Sequence, residues 1–123
     1  RACKLGFRAP SLRATALRVA AGRPDLAAIA SLGLEQARET LQTLPGVGRK
    51  IADCVLLFAC GFPQAFPIDV WIGKALRRLY FPRRRVTPSG LRRFAGTHFG
   101  PRAGYAQQYL FHYIRTADRQ RFP

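Results

Sequence analysis

The sequence predicts an all-α fold, a bundle of about six helices joined by short connections. Apolar residues recur at helical spacing along most of the chain, and almost no segment shows the alternation that is typical of a strand. Glycines and prolines separate the periodic segments. At 123 residues, of which 48% are hydrophobic, the chain has the size of one domain with its own core.

The first half of the chain is predicted to contain three helices and one short helical segment. The first helix opens on Pro10 and stops at Gly22, and a later one must end before Pro45 because proline cannot continue a helix. The last is nearly all apolar after its first turn, which predicts a buried central helix. The predicted ranges are 10–22, 24–32 (at most a short helix), 33–44 and 49–60.

Three further helices are predicted in the second half, at 69–81, 89–99 and 101–117. Asp69 stands at the cap position of the first of them. A basic loop at 82–88 separates this helix from the next. The residues expected on the inner side of the helix at 69–81 are Val70, Trp71, Ala75, Leu76 and Leu79.

The charge of the chain indicates an anionic partner. Lysine and arginine number 21 against 6 aspartates and glutamates, which gives a net charge of +15. Such a charge repels itself unless a polyanion is nearby, so nucleic acid is the leading partner and an anionic membrane surface the second. No apolar run approaches the roughly 20 residues of a spanning helix and no signal-peptide layout opens the chain, which favours an intracellular protein outside the membrane.

The cysteines and the start of the chain give two further expectations. Cys3, Cys54 and Cys60 are too few and too irregularly spaced for a disulfide framework or a four-cysteine metal or iron–sulfur site, so we expect reduced thiols. The chain begins with Arg1 and contains no methionine, so we expect a fragment or a processed piece of a longer protein.

Residues 44–54 read LPGVGRKIADC and place a lysine in an unusual position. Two helices joined by a tight turn with glycines on both sides of the bend leave the first amides of the second helix without side-chain partners. The helix dipole and the bare N–H groups then favour an anion such as a DNA phosphate. Lys50 lies on this first turn, where the dipole disfavours positive charge. The lysine is therefore either an incidental, solvated residue or a functional one, and an ordinary helix–helix turn is the alternative for the hairpin.

The hairpin and its flanking motifs resemble the helix-hairpin-helix DNA glycosylase superfamily, and within it the 8-oxoguanine DNA glycosylase/AP lyase branch. The resemblance covers nearly the whole chain. It implies that residues 1–123 form the C-terminal part of a catalytic domain, with the hairpin motif at about 34–60 and the N-terminal domain and first helices absent. The motifs are CKLGFRA at 3–9, the hairpin at 45–50, PQAFPIDV at 63–70 and AGYAQQYLF at 103–111.

The resemblance implies base-excision DNA repair, in which a bifunctional enzyme removes 8-oxoguanine through a lysine Schiff base and nicks the strand by β-elimination. It implies double-stranded DNA with a damaged base as the partner, a monomer, no required cofactor, and the cytoplasm and nucleoid of a bacterium or the nucleus of a eukaryote as the location. The isolated fragment is expected to expose apolar surface and to show weak or no activity. The alternatives are a non-catalytic helix-hairpin-helix DNA-binding module and a glycosylase for another damaged base.

The resemblance assigns the catalytic roles to Lys50, as the nucleophile, and to Asp69, as a carboxylate that stabilises positive charge on the sugar. An amine must be neutral to attack, and the helix N-terminus disfavours the ammonium, so the position of Lys50 suits a nucleophile. Without the resemblance, Lys50 is expected to bind phosphate and Asp69 to cap a helix. The capping role of Asp69 is compatible with catalysis. Asp53 is expected to have a structural role.

Three residues are implied to line the pocket for the flipped base. Cys54 and Phe111 would contact its two faces, and Gln107 would bond its Watson–Crick edge. Cys54 is four residues beyond Lys50, and Gln107 and Phe111 are also four apart, so each pair shares a helix face. Without the resemblance, Cys54 and Phe111 are core residues and Gln107 is a surface residue, and Gln108 is an alternative to Gln107.

The resemblance also implies contacts with the base stack and the backbone. Phe7 would enter the gap that the flipped base leaves, and Arg8 would bond the orphan cytosine, although a core position is the alternative for Phe7. Trp71 replaces a histidine of close eukaryotic relatives, which favours the bacterial form. The hairpin residues implied to bind DNA are Gly46, Val47, Gly48, Arg49 and Ile51, and the main-chain carbonyls implied to hold a structural cation are those of Gln42, Leu44 and Val47.

Further basic residues are candidates for phosphate contacts, and a solvated loop is the alternative for the run at 83–85. These candidates are Lys4, Arg13, Arg49, Arg84 and Arg102.

Overall fold

The computed structural model describes residues 3–117, and this part of the chain is helical without strands. The all-α prediction is therefore confirmed. No helix in the described part is long and apolar enough to cross a membrane. The α-helices are α1 (Ala9–Ala20), α2 (Leu34–Gln42), α3 (Arg49–Phe58), α4 (Val70–Tyr80), α5 (Pro88–Phe99) and α6 (Ala103–Thr116), and short 3₁₀-helices span Gly6–Arg8, Leu26–Ser31 and Gly100–Arg102.

The chain divides into two compact units, Arg1–Gly61 and Phe62–Pro123. The first contains α1, α2 and α3, and the second contains α4, α5 and α6. The short helix expected at 24–32 is the 3₁₀-helix Leu26–Ser31, whose N-cap is Asp25.

In the first unit α2 packs against α3. The buried apolar residues of α2 and of the turn after it are Ala37, Leu41 and Leu44. On α3 the buried apolar residues are Ala52 and Leu56. The hairpin helices therefore meet through apolar side chains.

A buried ion pair also joins α2 to α3. Arg38 Nε donates to Asp53 Oδ1 at 2.6 Å, and each residue is only 4% exposed. Burial raises the pKa of the Asp53 carboxyl although the Arg38 guanidinium opposes this shift. The same guanidinium also pairs with Glu35, and its hydrogen bond lowers the pKa of that carboxyl. Asp53 therefore has the expected structural role, which is to join α3 to α2 through Arg38.

In the second unit α4 packs against α5 and α6 around one apolar core. The ring of Phe66, from the segment before α4, stacks on that of Phe99 at the end of α5 with a centroid separation of 5.4 Å. The buried core residues are Phe66, Ile72, Ala75, Leu76, Leu91, Ala95, Ala103 and Ile114.

Two predictions of burial are wrong. Helix α3 is amphipathic and not buried on all sides, since Ile51 is 45% exposed and Phe58 65% exposed. In α4 the buried face is centred on Ile72, Ala75 and Leu76, at helical spacing, so the predicted inner residues Val70, Trp71 and Leu79 are exposed. Apolar character alone did not reveal which face of each helix is covered by the packing.

The ion pair predicts an asymmetric response to mutation. Asp53→Ala should lower the free energy of unfolding by about 3 kcal/mol, because it leaves the buried Arg38 guanidinium with Glu35 alone. The double replacement Arg38→Met with Asp53→Leu should recover most of this loss, since it removes both buried charges. Denaturant unfolding measures both variants. As a control, Glu35→Ala should cost less than about 1 kcal/mol because the Glu35 side chain is 70% exposed.

Candidate active site and nucleic-acid interface

The turn between α2 and α3 closes around a glycine. Gly46 has φ +77°, a left-handed conformation that side chains disfavour. A Cβ atom at this residue would lie 2.8 Å from Ser11 Cβ and 3.1 Å from Ser11 Oγ. The N–H of Val47 donates to the carbonyl of Leu44 at 3.1 Å and completes the turn. Both the backbone conformation and the close approach of α1 therefore require glycine at position 46.

Helix α1 holds the turn from outside. Thr15 Oγ1 donates to the carbonyl of Pro45 at 2.9 Å, and the Arg18 guanidinium donates to the carbonyl of Thr43. Sequence reasoning missed both residues. The only signal in the sequence is that they are polar and three positions apart on one helix face.

The first turn of α3 begins without a side-chain cap. The N-cap is Gly48, which is extended at φ −90° and ψ −175° and offers no side-chain acceptor. Arg49 and Lys50 are the first two residues of the helix, and the Lys50 side chain is exposed. Exposed amides at a helix start, flanked by basic side chains, form a favourable anion site.

Cys54 lies one turn beyond Lys50 on α3 and is half-buried. The spacing of four residues places both side chains on one side of the helix. The buried face of α3 instead carries Ala52, Asp53 and Leu56. Cys54 therefore lies beside the buried face and is not a fully enclosed core residue.

Asp69 occupies its predicted cap position in the second unit. Its Oδ1 accepts a hydrogen bond from the N–H of Ile72 at 2.7 Å, and the residue is half-buried. A carboxylate has a second oxygen, so capping does not use all of its acceptor capacity. The capping role read from the sequence is confirmed.

The segment that leads to Asp69 is fixed to α6. The N–H of Gly104 donates to the carbonyl of Pro63 at 2.7 Å, and Gln107 Nε2 donates to the carbonyl of Pro67 at 3.2 Å. Gln107 is 6% exposed, so its reading as a surface residue is wrong. Its Oε1 accepts from Nε2 of Gln108, which is exposed. Gln107 thus lies inside the second unit with its amide fully oriented.

Phe111 lies one turn beyond Gln107 and is half-buried against the core of the second unit. The Arg115 guanidinium lies 5.6 Å from the centroid of its ring. A cation over an aromatic face stabilises the ring in one orientation. The partial exposure leaves part of Phe111 accessible to a ligand.

Phe7 and Arg8 form an exposed pair in the first unit. The Phe7 side chain is 87% exposed, so the alternative that it is a core residue is wrong. The Arg8 guanidinium lies 5.3 Å from the ring centroid of Phe7. Trp71 in the second unit is also exposed, and Lys74 Nζ lies 5.1 Å from its ring. Both aromatic residues are thus presented to solvent beside a cation.

The described residues contain no group of three or more His, Cys, Asp or Glu side chains that could hold a metal ion. The carbonyls predicted to hold a cation are those of Gln42, Leu44 and Val47. The Leu44 carbonyl accepts from Val47, and a carbonyl oxygen has a second lone pair for a cation. The side chains of α1 bind the carbonyls of Thr43 and Pro45, which are not in the predicted set.

The fold and the hairpin are those of a helix-hairpin-helix protein, and comparisons with known proteins specify the family. No family model matches the chain. Over 115 residues it is 39% identical to a probable N-glycosylase/DNA lyase of Methanothermobacter thermautotrophicus, with 94% of this chain and 36% of the relative covered. It is 32% identical over 96 residues to N-glycosylase/DNA lyase OGG1 of Arabidopsis thaliana, with 73% of this chain and 26% of the relative covered.

Solved structures give the same result. The 8-oxoguanine glycosylase/lyase of Clostridium acetobutylicum, in complex with dsDNA containing cytosine opposite 8-oxoG, superimposes with a TM-score of 0.86 at 41% identity, covering 92% of this chain and 39% of that one. MBOgg1 in complex with a low-affinity DNA ligand superimposes with a TM-score of 0.84 at 41% identity, covering 89% of this chain and 38% of that one.

The chain is therefore similar to N-glycosylase/DNA lyases and, among solved structures, to 8-oxoguanine glycosylase/lyases. It spans 36% and 26% of the lengths of the two curated relatives. The resemblance predicted from the motifs is confirmed.

The hairpin turn predicts different effects for two neighbouring glycines. Gly46→Ala should lower the free energy of unfolding by about 1–2 kcal/mol from the left-handed backbone alone, with a further loss from the contact with Ser11. Gly48→Ala is the matched control, because its backbone is extended and an added Cβ would meet nothing within 4 Å. The control should cost about 0.5 kcal/mol. Equal unfolding midpoints for the two variants would contradict the role given to the turn.

Proposed function

We propose that the protein is a bifunctional DNA glycosylase/AP lyase that removes 8-oxoguanine from duplex DNA. The observation that carries the proposal is Lys50 on the exposed, uncapped first turn of α3, in a chain that is similar to N-glycosylase/DNA lyases. The complex of the Clostridium acetobutylicum enzyme supports the choice of lesion and of cytosine as the opposite base. The place of action would be the compartment that holds the genome.

Binding of DNA would begin at the hairpin. The amides of Gly48 and of the first residues of α3 can donate to a backbone phosphate, with the helix dipole aligned in the same sense. The residues proposed for this contact are Gly46, Val47, Gly48, Arg49 and Ile51. The exposed Phe7 ring would fill the gap in the base stack, and Arg8 would donate to the orphan cytosine.

A hard cation held by the carbonyls of Gln42, Leu44 and Val47 is a further proposal for the hairpin, since carbonyl oxygens suit such ions. When bound, it would add positive charge beside the phosphate. Catalysis does not require it.

Lys50 would act as the nucleophile. Its neutral amine would form a bond to C1′ as the bond between C1′ and the base nitrogen breaks, and the base would leave after taking a proton. Opening of the sugar gives a Schiff base. Loss of a proton from C2′ then expels the 3′ phosphate and nicks the strand. The chain has three lysines and 18 arginines, and a guanidinium stays protonated, so few side chains of this chain offer an amine.

Asp69 would stabilise the positive charge that develops on the sugar. The hydrogen bond from Ile72 orients the carboxylate through Oδ1, and the second oxygen is proposed to face the sugar. Because the same group caps α4, its orientation is fixed before the substrate binds.

Cys54 of the first unit, and Phe111 and Gln107 of the second, are each proposed to contact the flipped base. Guanine presents N–H donors on its Watson–Crick edge, and Gln107 Oε1 is an acceptor that Gln108 occupies in the structure. We propose that the base displaces the exposed Gln108 amide from Oε1. The bond from Gln107 to Pro67 would remain and hold the amide in orientation.

Borohydride trapping tests the proposed activity. A protein that carries this chain at the full length of its relatives should form a covalent complex with duplex containing 8-oxoguanine opposite cytosine, and Lys50→Gln should abolish it because no amine then reaches C1′. Lys74→Gln is the control and should retain trapping. Duplex binding without a trapped species on any lesion would instead identify a non-catalytic DNA-binding module.

Two substitutions of Asp69 can separate its capping of α4 from the effect of its negative charge. Asp69→Asn keeps a side-chain oxygen for the cap, so the free energy of unfolding should change by less than about 0.5 kcal/mol. Excision should nevertheless fall by about 100-fold or more in single-turnover assays, because the charge is lost. Asp69→Ala should lose both the rate and about 1 kcal/mol of stability. An Asp69→Asn variant with normal excision would limit this residue to capping.

Alanine substitutions of Gln107 and of its neighbour Gln108 test which residue determines the preferred lesion. On a panel of damaged duplexes, Gln107→Ala should reduce excision of 8-oxoguanine selectively, by about tenfold to a hundredfold, because one acceptor for the base is lost. Gln108→Ala should leave the preference unchanged. A uniform loss on all lesions would mean that Gln107 acts by holding the segment before Asp69, and a different preferred lesion would support the alternative substrate.

A further inference from the structure

We infer that the junction of α4 and α5 is a second surface for the phosphate backbone of duplex DNA, formed by residues other than those of the hairpin. Seven arginines lie in this stretch of the second unit, and we call them the arginine corner. Its members are Arg77, Arg78, Arg83, Arg84, Arg85, Arg92 and Arg93.

Ring contacts bring the parts of the arginine corner together. The rings of Tyr80 and Phe81, at the end of α4, each lie 4.9 Å from the ring of Phe94 in α5. The N–H of Arg84 donates to the carbonyl of Phe81 at 3.2 Å and folds the connecting loop back. The end of α4, the loop and the part of α5 around Phe94, which carry the arginines, are therefore neighbouring segments.

The loop of the arginine corner carries three consecutive arginines at 83–85 and no acidic residue. Between Asp69 and Asp118 the chain contains ten lysines and arginines and no aspartate or glutamate. Five of the seven arginines are exposed, and Arg77 and Arg92 are half-buried. Like charges on neighbouring segments repel one another and destabilise the folded state unless an anionic partner is present.

The surroundings of the corner favour DNA over a membrane. From residue 81 to residue 104, all within the described part of the chain, no large hydrophobic side chain is exposed, whereas Leu79 and Tyr80 at the end of α4 are 45% and 37% exposed. An amphipathic membrane-binding surface inserts apolar side chains beside its cations, and the exposed run of arginines at 83–85 has no exposed large hydrophobic residue next to it. Guanidinium groups match phosphate oxygens in two-point hydrogen bonds, which fits a backbone contact without base recognition. The inference rests on the proposed function only in that the protein meets duplex DNA.

The salt dependence of binding tests the inference. The triple substitution Arg83→Ser, Arg84→Ser and Arg85→Ser should reduce the slope of log K against log salt by about 2 to 3, since each lost phosphate contact removes about 0.9. Affinity should fall on the order of tenfold to a hundredfold, equally for undamaged and 8-oxoguanine duplexes, because phosphate contacts do not read the base. The matched control replaces the same three arginines by lysine and should keep the slope.

Three results would overturn the inference. The first is an unchanged slope in the serine variant, which would make the loop a solvated one. The second is a loss confined to the 8-oxoguanine duplex, which would place the loop in base recognition. The third is a serine variant that no longer binds phosphatidylserine vesicles but binds DNA normally, which would make the loop a membrane contact. The proposed function fails separately: absence of trapping on every lesion would remove the enzyme activity, whereas a changed slope on undamaged duplex would still support the arginine corner.

Discussion

The turn between α2 and α3 can close only around a glycine, and the candidate active site depends on this constraint. Gly46 has a left-handed backbone and faces Ser11 at a distance that excludes a Cβ atom. Helix α1 then binds the turn through Thr15 and Arg18. With the turn fixed, α3 starts at an exposed glycine cap, and Lys50 is presented on its first turn. The unfavourable location of this lysine is therefore a consequence of how the hairpin closes.

Several residues combine a structural and a proposed chemical role. Asp69 caps α4 and is proposed to stabilise charge on the sugar, so one hydrogen bond serves folding and preorganisation. Gln107 holds the segment before Asp69 through Pro67 and is proposed to read the base with its other end. The structural and functional interpretations of such residues are not exclusive, which is why measurements that separate stability from rate are needed.

Local signals predicted most of the fold, and tertiary contacts account for the rest. Prolines, glycines and the Asp69 cap defined the helix boundaries closely, because these residues act within one or two positions. The covered faces of α3 and α4 were predicted poorly, since apolar residues such as Phe58 and Trp71 occur on both sides of these helices. The Arg38–Asp53 pair was not predicted because it requires the register of α2 on α3. The sequence predicted Lys50 through its motif and not through any local propensity.

The central claim is that the hairpin makes Lys50 the nucleophile, and locating the covalent bond tests it most directly. The chain has three lysines, Lys4, Lys50 and Lys74, so proteolysis and mass spectrometry of the borohydride-reduced complex can distinguish them. The account predicts the reduced sugar adduct on the peptide that contains Lys50. An adduct on Lys4, on Lys74 or at a residue outside this chain would contradict it.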